Sequence, residues 1–249
     1  MRKFFTALPV ALLVGVLAPT VSHAAGTGIE PVNARIDLQD QASLQRGAKL
    51  FMNYCVSCHS AEFMRYNRMG ADLGLTDERV AANLMFASDK VGSTMTVAFA
   101  DEDANNWFGV VPPDLSVIAR ARGKDWLYTY LMTFYRDDSR PFGVNNLMFP
   151  AVGMPHVFEG LQGVQRKREF AEGEILPTNP LQQLELAEAG SRSPAQFSKD
   201  MRDLVNFMVY LGEPAKLERY DLGVKVIIFL LVFLWAARAL KKEYWKDVH

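Results

Sequence analysis

The stretch Cys55-Val56-Ser57-Cys58-His59 has the form Cys-x-x-Cys-His, the pattern of covalent c-type haem attachment. Two thiols one helical turn apart can each add to a vinyl group of the same porphyrin. The adjacent imidazole can then bind the iron, and the rest of the chain has to wrap around the porphyrin. The motif predicts one haem c, held by Cys55 and Cys58, with His59 as an axial ligand.

Two other interpretations of these five residues are less well supported. A zinc site needs four ligands, but the chain has no third cysteine, and its other histidines are His23, His156 and His249. A thioredoxin-like dithiol belongs in a βαβ context, and no such pattern flanks the motif. Haem attachment is the interpretation that remains.

Residues 1–24 are typical of a secretory signal peptide. A charged start precedes an apolar core at residues 7–16, and Ser22-His23-Ala24 supplies the small residues of a cleavage site. A retained N-terminal anchor is the alternative, although the apolar core is short. We expect cleavage after Ala24 and export of a soluble head, residues 25–221, to a bacterial periplasm.

Residues 222–240 predict a membrane anchor. They form an apolar segment of 19 residues, close to the roughly 20 that cross a bilayer. A buried core helix is the alternative, but only a short tail follows this segment. That tail, residues 241–249, is basic and carries Tyr244 and Trp245 for the interface, so it should lie in the cytoplasm. A single-pass protein of the bacterial inner membrane is therefore expected.

Charge narrows the possible partners. With 49% hydrophobic and 22% charged residues, the chain has an ordinary globular composition. Residues 25–221 contain 20 Lys and Arg against 26 Asp and Glu. An acidic head argues against nucleic acid and favours a cationic protein partner. The run Asp101-Glu102-Asp103 could help to dock that partner, or could be a solubilising loop.

Periodicity predicts several helices joined by long loops. Helical spacing of apolar residues and helix-capping residues indicate helices at residues 40–54, 76–86, 124–135 and 198–211. Gly47, on the first of these, would allow close approach by another helix. Gly, Pro and Asn mark loops at residues 105–113, 141–155 and 173–180, and no alternating strand pattern is visible.

The second axial ligand has to come from elsewhere in the chain. Met154 lies in Val152-Gly153-Met154-Pro155, a loop framed by Gly and Pro. His156, two positions further along, could bind the iron instead. Most of the other methionines are more simply explained as core residues. A thioether ligand would raise the reduction potential relative to a second imidazole. The residues favour Met154 and leave His156, another methionine or an open site as alternatives.

Further motifs match a known family. Val111-Pro112-Pro113-Asp114-Leu115-Ser116 is followed by Arg120-Ala121-Arg122, and Phe149-Pro150 precedes Gly153-Met154-Pro155. The anchor ends in Lys241-Lys242-Glu243-Tyr244-Trp245-Lys246. Together with the haem motif, these features resemble the cytochrome c1 family, the haem subunit of the ubiquinol–cytochrome c reductase (bc1) complex. The resemblance covers essentially the whole mature chain.

This resemblance implies a fold and a set of haem contacts. The fold is mainly α, a class I cytochrome c-like haem domain with long loops plus one C-terminal transmembrane helix. The axial ligands would be His59 and Met154. The other implied cofactor-binding residues are Pro113, packed on the haem, and Arg120, Arg122 and Trp126, of which Arg122 and Trp126 would hold a propionate. Spacing alone would favour a solvated helix face for both arginines. This chain departs from the mitochondrial members at His156, where they have a proline.

The resemblance also implies a function. The head would pass electrons from the Rieske iron–sulfur protein to a periplasmic cytochrome c and do no bond chemistry itself. Cytochrome b would be the membrane neighbour, within a dimeric complex. A free-standing membrane-tethered electron carrier is the alternative, and a haem enzyme such as a peroxidase, with an open iron site, is a second one.

Overall fold

The computed structural model describes residues 28–97, 99–171 and 173–247. The predicted signal peptide, residues 1–24, lies outside them, as do the last two residues of the predicted tail. Within the described residues the fold is mainly helical, which confirms the predicted fold class, and it includes three small antiparallel two-stranded sheets. The sequence showed no alternating strand pattern, because three of these strands have only two or three residues and the longer ones do not bury alternate residues.

Helices and short strands follow one another along the described residues, and each sheet has only two strands. In chain order they are α1 (Gln41–Tyr54), β1 (Ala61–Arg65), α2 (Tyr66–Asp72), α3 (Asp77–Leu84), β2 (Thr94–Met95), α4 (Asp101–Phe108), α5 (Ile118–Arg122), α6 (Lys124–Met132), β3 (Phe134–Arg136), β4 (Val144–Asn146), α7 (Glu159–Gln162), β5 (Gly163–Lys167), a 3-10 helix (Pro180–Gln183), β6 (Leu184–Ala189), α8 (Pro194–Gly212) and α9 (Lys216–Tyr244). The pairs are β1 with β2, β3 with β4 and β5 with β6.

The centre of the head is the crossing of α1 and α8. Asp40 caps α1 by accepting a hydrogen bond from the Ser43 backbone N–H at 2.9 Å, and a capping box begins α8. The two helices approach each other at Gly47, where a Cβ would overlap the backbone carbonyl oxygen of Asp203. The predicted role of Gly47 in close helix packing is confirmed.

Buried polar contacts join the same two helices. The Asp203 side chain, only 6% exposed, accepts hydrogen bonds from the Ser43 hydroxyl and from Arg46 Nε, both at 2.6 Å. Asn206 Nδ2 donates to the Ser43 hydroxyl oxygen at 3.1 Å and to the carbonyl oxygen of Asp37, just before α1, at 2.6 Å. A buried carboxylate is tolerated only when it is paired in this way. These contacts therefore hold α1 and α8 in one register.

Several predicted boundaries differ from the structure. α8 begins at Pro194, four residues before the predicted start, and α3 ends at Leu84, two residues before the predicted end. The helix predicted at residues 124–135 ends at Met132, because residues Phe134–Arg136 form β3 and pair with Val144–Asn146 of β4. The loop predicted at residues 105–113 begins later, since α4 continues to Phe108 and ends at Gly109 in the left-handed conformation.

Helix α9 extends beyond the head. It has 29 residues with a mean hydropathy of 2.1 over its most apolar stretch, and none of that stretch is buried. Among the described residues, α9 alone is long and apolar enough to cross a membrane. The predicted segment 222–240 lies inside it, and the helix fits a single-pass anchor at the C-terminal end.

Candidate haem-binding site

A cavity of about 430 Å³ lies beside the C-terminal end of α1. It is bounded by the main core and by Val152, which belongs to a smaller cluster with Phe134 and Val144. Its volume is that of a small-molecule site, and its walls are almost entirely apolar. Residues from α1, α4, α5, α6, α8 and three loops contribute to the lining, so the cavity is a feature of the whole head.

The haem motif forms the turn that follows α1. The His59 N–H donates to the Cys55 carbonyl at 2.7 Å, and both cysteines line the cavity as free thiols. Burial, with a smaller contribution from Cys58, raises the pKa of the Cys55 thiol to about 12. A thiol that keeps its proton is a poor nucleophile for thioredoxin-like exchange.

His59 is held in the form that can bind a metal. Its Nδ1–H donates to the carbonyl oxygen of Pro113 at 2.8 Å, which leaves Nε2 without a proton. Burial lowers the pKa of His59, against smaller opposing contributions from Pro113 and Asp114. A neutral imidazole whose other nitrogen is hydrogen-bonded is the usual form of a ligating histidine.

The Pro-Pro-Asp-Leu-Ser segment is tied to the residues that follow the haem motif. The Asp114 carboxylate accepts from the Glu62 N–H at 2.9 Å, and the Ser116 hydroxyl accepts from the Phe63 N–H at 3.1 Å. With the histidine contact to Pro113, these bonds fix the segment against the cavity. The two polar side chains of the motif, Asp114 and Ser116, therefore each accept a hydrogen bond from a backbone N–H close to His59.

Met154 lines the same cavity and is positioned by two residues that the sequence analysis missed. The Tyr130 hydroxyl donates to Met154 Sδ at 3.3 Å. Asn146, 1% exposed, donates to the Tyr130 carbonyl at 2.8 Å. Its Oδ1 accepts from the Met148 N–H at 2.9 Å and the Phe149 N–H at 3.2 Å. Asn146 thus ties the methionine loop to α6.

His156 faces a different cavity. Its ring stacks on Phe134 with centroids 4.8 Å apart and planes 5° from parallel. It lines a separate cavity of about 170 Å³ and not the larger one. Burial lowers the pKa of His156 to about 4, against a smaller opposing contribution from Gln162. Of Met154 and His156, Met154 is the one that shares a cavity with His59. Met208 also lines this cavity, from the buried core of α8.

A ladder of residues four positions apart begins at the cavity, which Arg122, Trp126 and Tyr130 line, and continues to Phe134 outside it. The Arg122 guanidinium carbon lies 5.1 Å from the centroid of the Trp126 ring. That ring stacks on Tyr130 at 5.1 Å and 8°, and Tyr130 meets the edge of Phe134 at 5.2 Å. Arg122 also lies 5.9 Å from the Phe149 ring. The charge of Arg122 is therefore held between two aromatic side chains at the cavity.

Most of the predicted site residues come together. The cavity is lined by Cys55, Cys58, His59, Pro113, Arg122, Trp126 and Met154. Arg120 does not contribute to this lining. Its aliphatic stem packs beside Gly212 at the end of α8, where an added Cβ would lie 3.2 Å from Arg120 Cγ. The arrangement gives no support to the predicted haem contact of Arg120.

The donor set of the cavity fits a haem. Imidazole and thioether are established axial ligands of c-type haem, and two adjacent thiols, apolar walls and one guanidinium complete the requirements for a porphyrin with charged propionates. Among the described residues, no group of three or more His, Cys, Asp and Glu gathers where it could hold a metal ion. The fold and site define a membrane-anchored c-type cytochrome.

Comparison with known proteins gives the family. The sequence model described as "Cytochrome C1 family" matches residues 32–248, and this chain belongs to the cytochrome c1 family. Proteins of this family carry a covalent c-type haem and serve as electron-transfer subunits of the bc1 complex, which is the function that the family assignment gives to this chain.

Individual relatives span nearly the whole chain. It is 51% identical to cytochrome c1 of Allochromatium vinosum over 94% of this chain and 96% of the relative. It is 48% identical to a protein of Nitrosomonas europaea named ammonia monooxygenase gamma subunit, over 96% of this chain and 97% of the relative. A chain of a solved structure, "Hyperthermophilic respiratory Complex III", is 21% identical with a TM-score of 0.42, covering 83% of this chain and 77% of that one. That structural similarity is too low to carry an argument.

Proposed function

We propose that this chain takes one electron at a time from the Rieske iron–sulfur protein of a bc1 complex and passes it to a periplasmic cytochrome c. One observation carries the proposal: the free Nε2 of His59 and the sulfur of Met154 belong to the same apolar cavity as the two cysteines. Cys55 and Cys58 hold the haem covalently, and His59 and Met154 bind its iron.

The residues of the cavity set the reduction potential. The bound haem supplies a reversible one-electron centre. The Met154 thioether favours the ferrous state relative to a second imidazole. Apolar walls exclude water and disfavour the extra positive charge of the ferric state. The subunit thus contributes a high, fixed potential and a docking surface, and does no bond chemistry.

Arg122 and Trp126 orient the cofactor. The Arg122 guanidinium, held between the rings of Trp126 and Phe149, is pre-positioned to grip a propionate with two parallel N–H bonds. Pro113 lines the same wall beside His59 and packs on the porphyrin.

The chain crosses the membrane once. Residues 1–24 are removed, residues 25–221 form the periplasmic head, residues 222–240 span the bilayer next to cytochrome b, and residues 241–249 are the cytoplasmic tail. The apolar, unburied surface of α9 and the basic residues after it support this topology. The whole lies in the inner membrane of a bacterium, within a dimeric complex.

Helix α4 supplies a charged approach to the cavity. Asp101, Glu102 and Asp103 form its first turn, and Phe108 at its other end lines the cavity. Eight residues of α-helix span about 12 Å, so the acidic turn lies close to the rim. It attracts a cationic cytochrome and steers its encounter with the haem edge.

Met154→Leu tests the proposal. The change removes the thioether and keeps the size of the side chain, so the reduction potential should fall greatly and quinol-driven electron flow should stop. Met148→Leu is the matched control, because Met148 lies in the same loop, is 5% exposed and does not line the cavity. Redox titration and turnover are measured in membranes. Wild-type potential and turnover in Met154→Leu would refute the ligand assignment.

Purification in mild detergent separates the proposal from its rivals. Co-purification of cytochrome b and a Rieske protein supports the bc1 assignment. A chain that purifies alone would be a free-standing membrane-tethered carrier. A five-coordinate spectrum with peroxide reactivity would instead identify a haem enzyme.

A further inference from the structure

Tyr130 makes a direct polar contact with the sulfur of Met154. Its hydroxyl oxygen lies 3.3 Å from Met154 Sδ. A thioether has no proton to give and is a weak acceptor, so the tyrosine must be the donor. The contact directs the positive end of the O–H dipole at the sulfur lone pairs.

The ring that carries this hydroxyl is fixed on several sides. It stacks on Trp126 at 5.1 Å, meets the edge of Phe134 at 5.2 Å, and its backbone carbonyl is bound by Asn146 Nδ2 at 2.8 Å. Because Asn146 also binds the backbone of the methionine loop, Tyr130 and Met154 are held relative to each other. The hydroxyl is therefore placed by packing, and does not depend on its own weak bond for its position.

We propose that Tyr130 is a positioning residue that raises the reduction potential of the haem by donating a hydrogen bond to the Met154 sulfur. This inference rests on the proposed ligation by Met154. A donor at the sulfur draws electron density away from the lone pairs that stabilise ferric iron, and its dipole opposes the additional positive charge of that state. Both effects favour the ferrous state.

Tyr130→Phe in the full chain tests this inference by removing one oxygen atom. We expect a three- to tenfold shift of the ferric–ferrous equilibrium towards ferric, a potential lower by about 28 to 59 mV at 59 mV per tenfold change. Tyr128→Phe is the matched control. Tyr128 lies on the same helix, is 1% exposed and pairs with the Ser198 hydroxyl at 2.9 Å, but it does not line the cavity. Its potential should equal that of the wild type.

A second variant should shift the reduction potential in the opposite direction. Replacing Tyr130 with 3,5-difluorotyrosine keeps the shape and makes the phenol a stronger donor, so the potential should rise above the wild-type value. This variant decides the question even where Tyr130→Phe does not accumulate. A potential that is unchanged or lower in the fluorinated protein, or unchanged in Tyr130→Phe, would overturn the inference.

Spectroscopy separates failure of this inference from failure of the ligand assignment. Near-infrared magnetic circular dichroism distinguishes histidine–methionine from bis-histidine haem. If the wild type shows thioether ligation and Tyr130→Phe leaves the potential unchanged, the role of Tyr130 is wrong and the proposed function stands. If the wild type shows no thioether ligation, the Met154 assignment fails, and this inference fails with it.

Discussion

Asp203→Ala should loosen the helix pair that supports the haem motif. Asp203 lies on α8 and binds Ser43 and Arg46 on α1, the helix that ends at the first haem cysteine. Alanine removes the carboxylate and leaves the Ser43 hydroxyl and the Arg46 guanidinium without their shared acceptor. The expected result is a marked loss of stability of the head.

The structure gives the size of this effect. Removing one partner of a buried ion pair costs about 3–5 kcal/mol. The Arg46 side chain is 44% exposed, so water can solvate the released guanidinium and the cost is smaller, about 2–4 kcal/mol. With an m-value of about 2–3 kcal/mol/M, a loss of about 3 kcal/mol lowers the urea midpoint by about 1–1.5 M.

Urea unfolding of the haem-loaded full chain in detergent, followed by circular dichroism, measures this midpoint. Asp200→Ala is the control, because Asp200 lies one turn earlier on α8 and pairs with Arg192 at 3.2 Å, with side chains 19% and 48% exposed. The Asp200 side chain is 19% exposed against 6% for Asp203, so the loss of its single ion pair should cost less than the loss of the Asp203 contacts. If Asp203→Ala lost no more stability than Asp200→Ala, the buried contacts would not be what holds α1 to α8.

Two further changes test the docking surface and the methionine loop. The double change Asp101→Asn, Glu102→Gln should slow association with a cationic cytochrome c several-fold at low salt, with the difference fading near 0.15 M salt, where the Debye length is about 8 Å. Stopped-flow kinetics checks this, and Asp77→Asn, Glu78→Gln on α3 removes the same two charges away from the cavity and should have little effect. Asn146→Ala leaves a carbonyl and two N–H groups without their partner and should cost about 2–3 kcal/mol in the same urea assay. A loss below 0.5 kcal/mol would show that the loop is held by other contacts.

Long helices were predictable from the sequence for a physical reason. α1 and α3 bury one face, so their apolar residues recur at helical spacing, and the capping residues Asp40 and Thr76 mark their starts. α8 is buried on all sides from Asp203 to Met208, and its apolar residues still recur at helical spacing. The anchor was predictable because a bilayer demands a long uncharged segment. Its full helical length was not, since α9 begins at Lys216, where hydropathy gives no signal.

The short strands could not be predicted in the same way. β3 and β4 contribute three residues each, too few for an alternating pattern, and they form only because the chain returns to pair with itself. That pairing also ends α6 before residues 133–135. The helical pattern at residues 133–135 was therefore overruled by the pairing of β3 with β4.

Some residues of the candidate site were indicated by their neighbours in the sequence, and others only by contacts that the fold creates. The haem motif is contiguous, so its meaning could be read directly, and Met154 was indicated by its Gly and Pro neighbours. Tyr130 lies four residues after Trp126, and that spacing was a usable signal for a shared face. Asn146 gave none, because its importance comes from contacts with α6 and the methionine loop that only the fold brings together. Spacing alone does not separate Arg120 from Arg122. The family resemblance assigned the propionate contact to Arg122, and in the structure Arg122 lines the cavity while Arg120 does not.

Intact mass spectrometry of the purified full chain, matured with a working haem-ligation apparatus, shows whether one haem is bound covalently at Cys55 and Cys58. We expect a mature chain that starts at Ala25 and carries the mass of one haem that survives denaturation, and a Cys55→Ala, Cys58→Ala variant that lacks that mass. A colourless wild-type chain without the added mass would contradict covalent attachment of a haem.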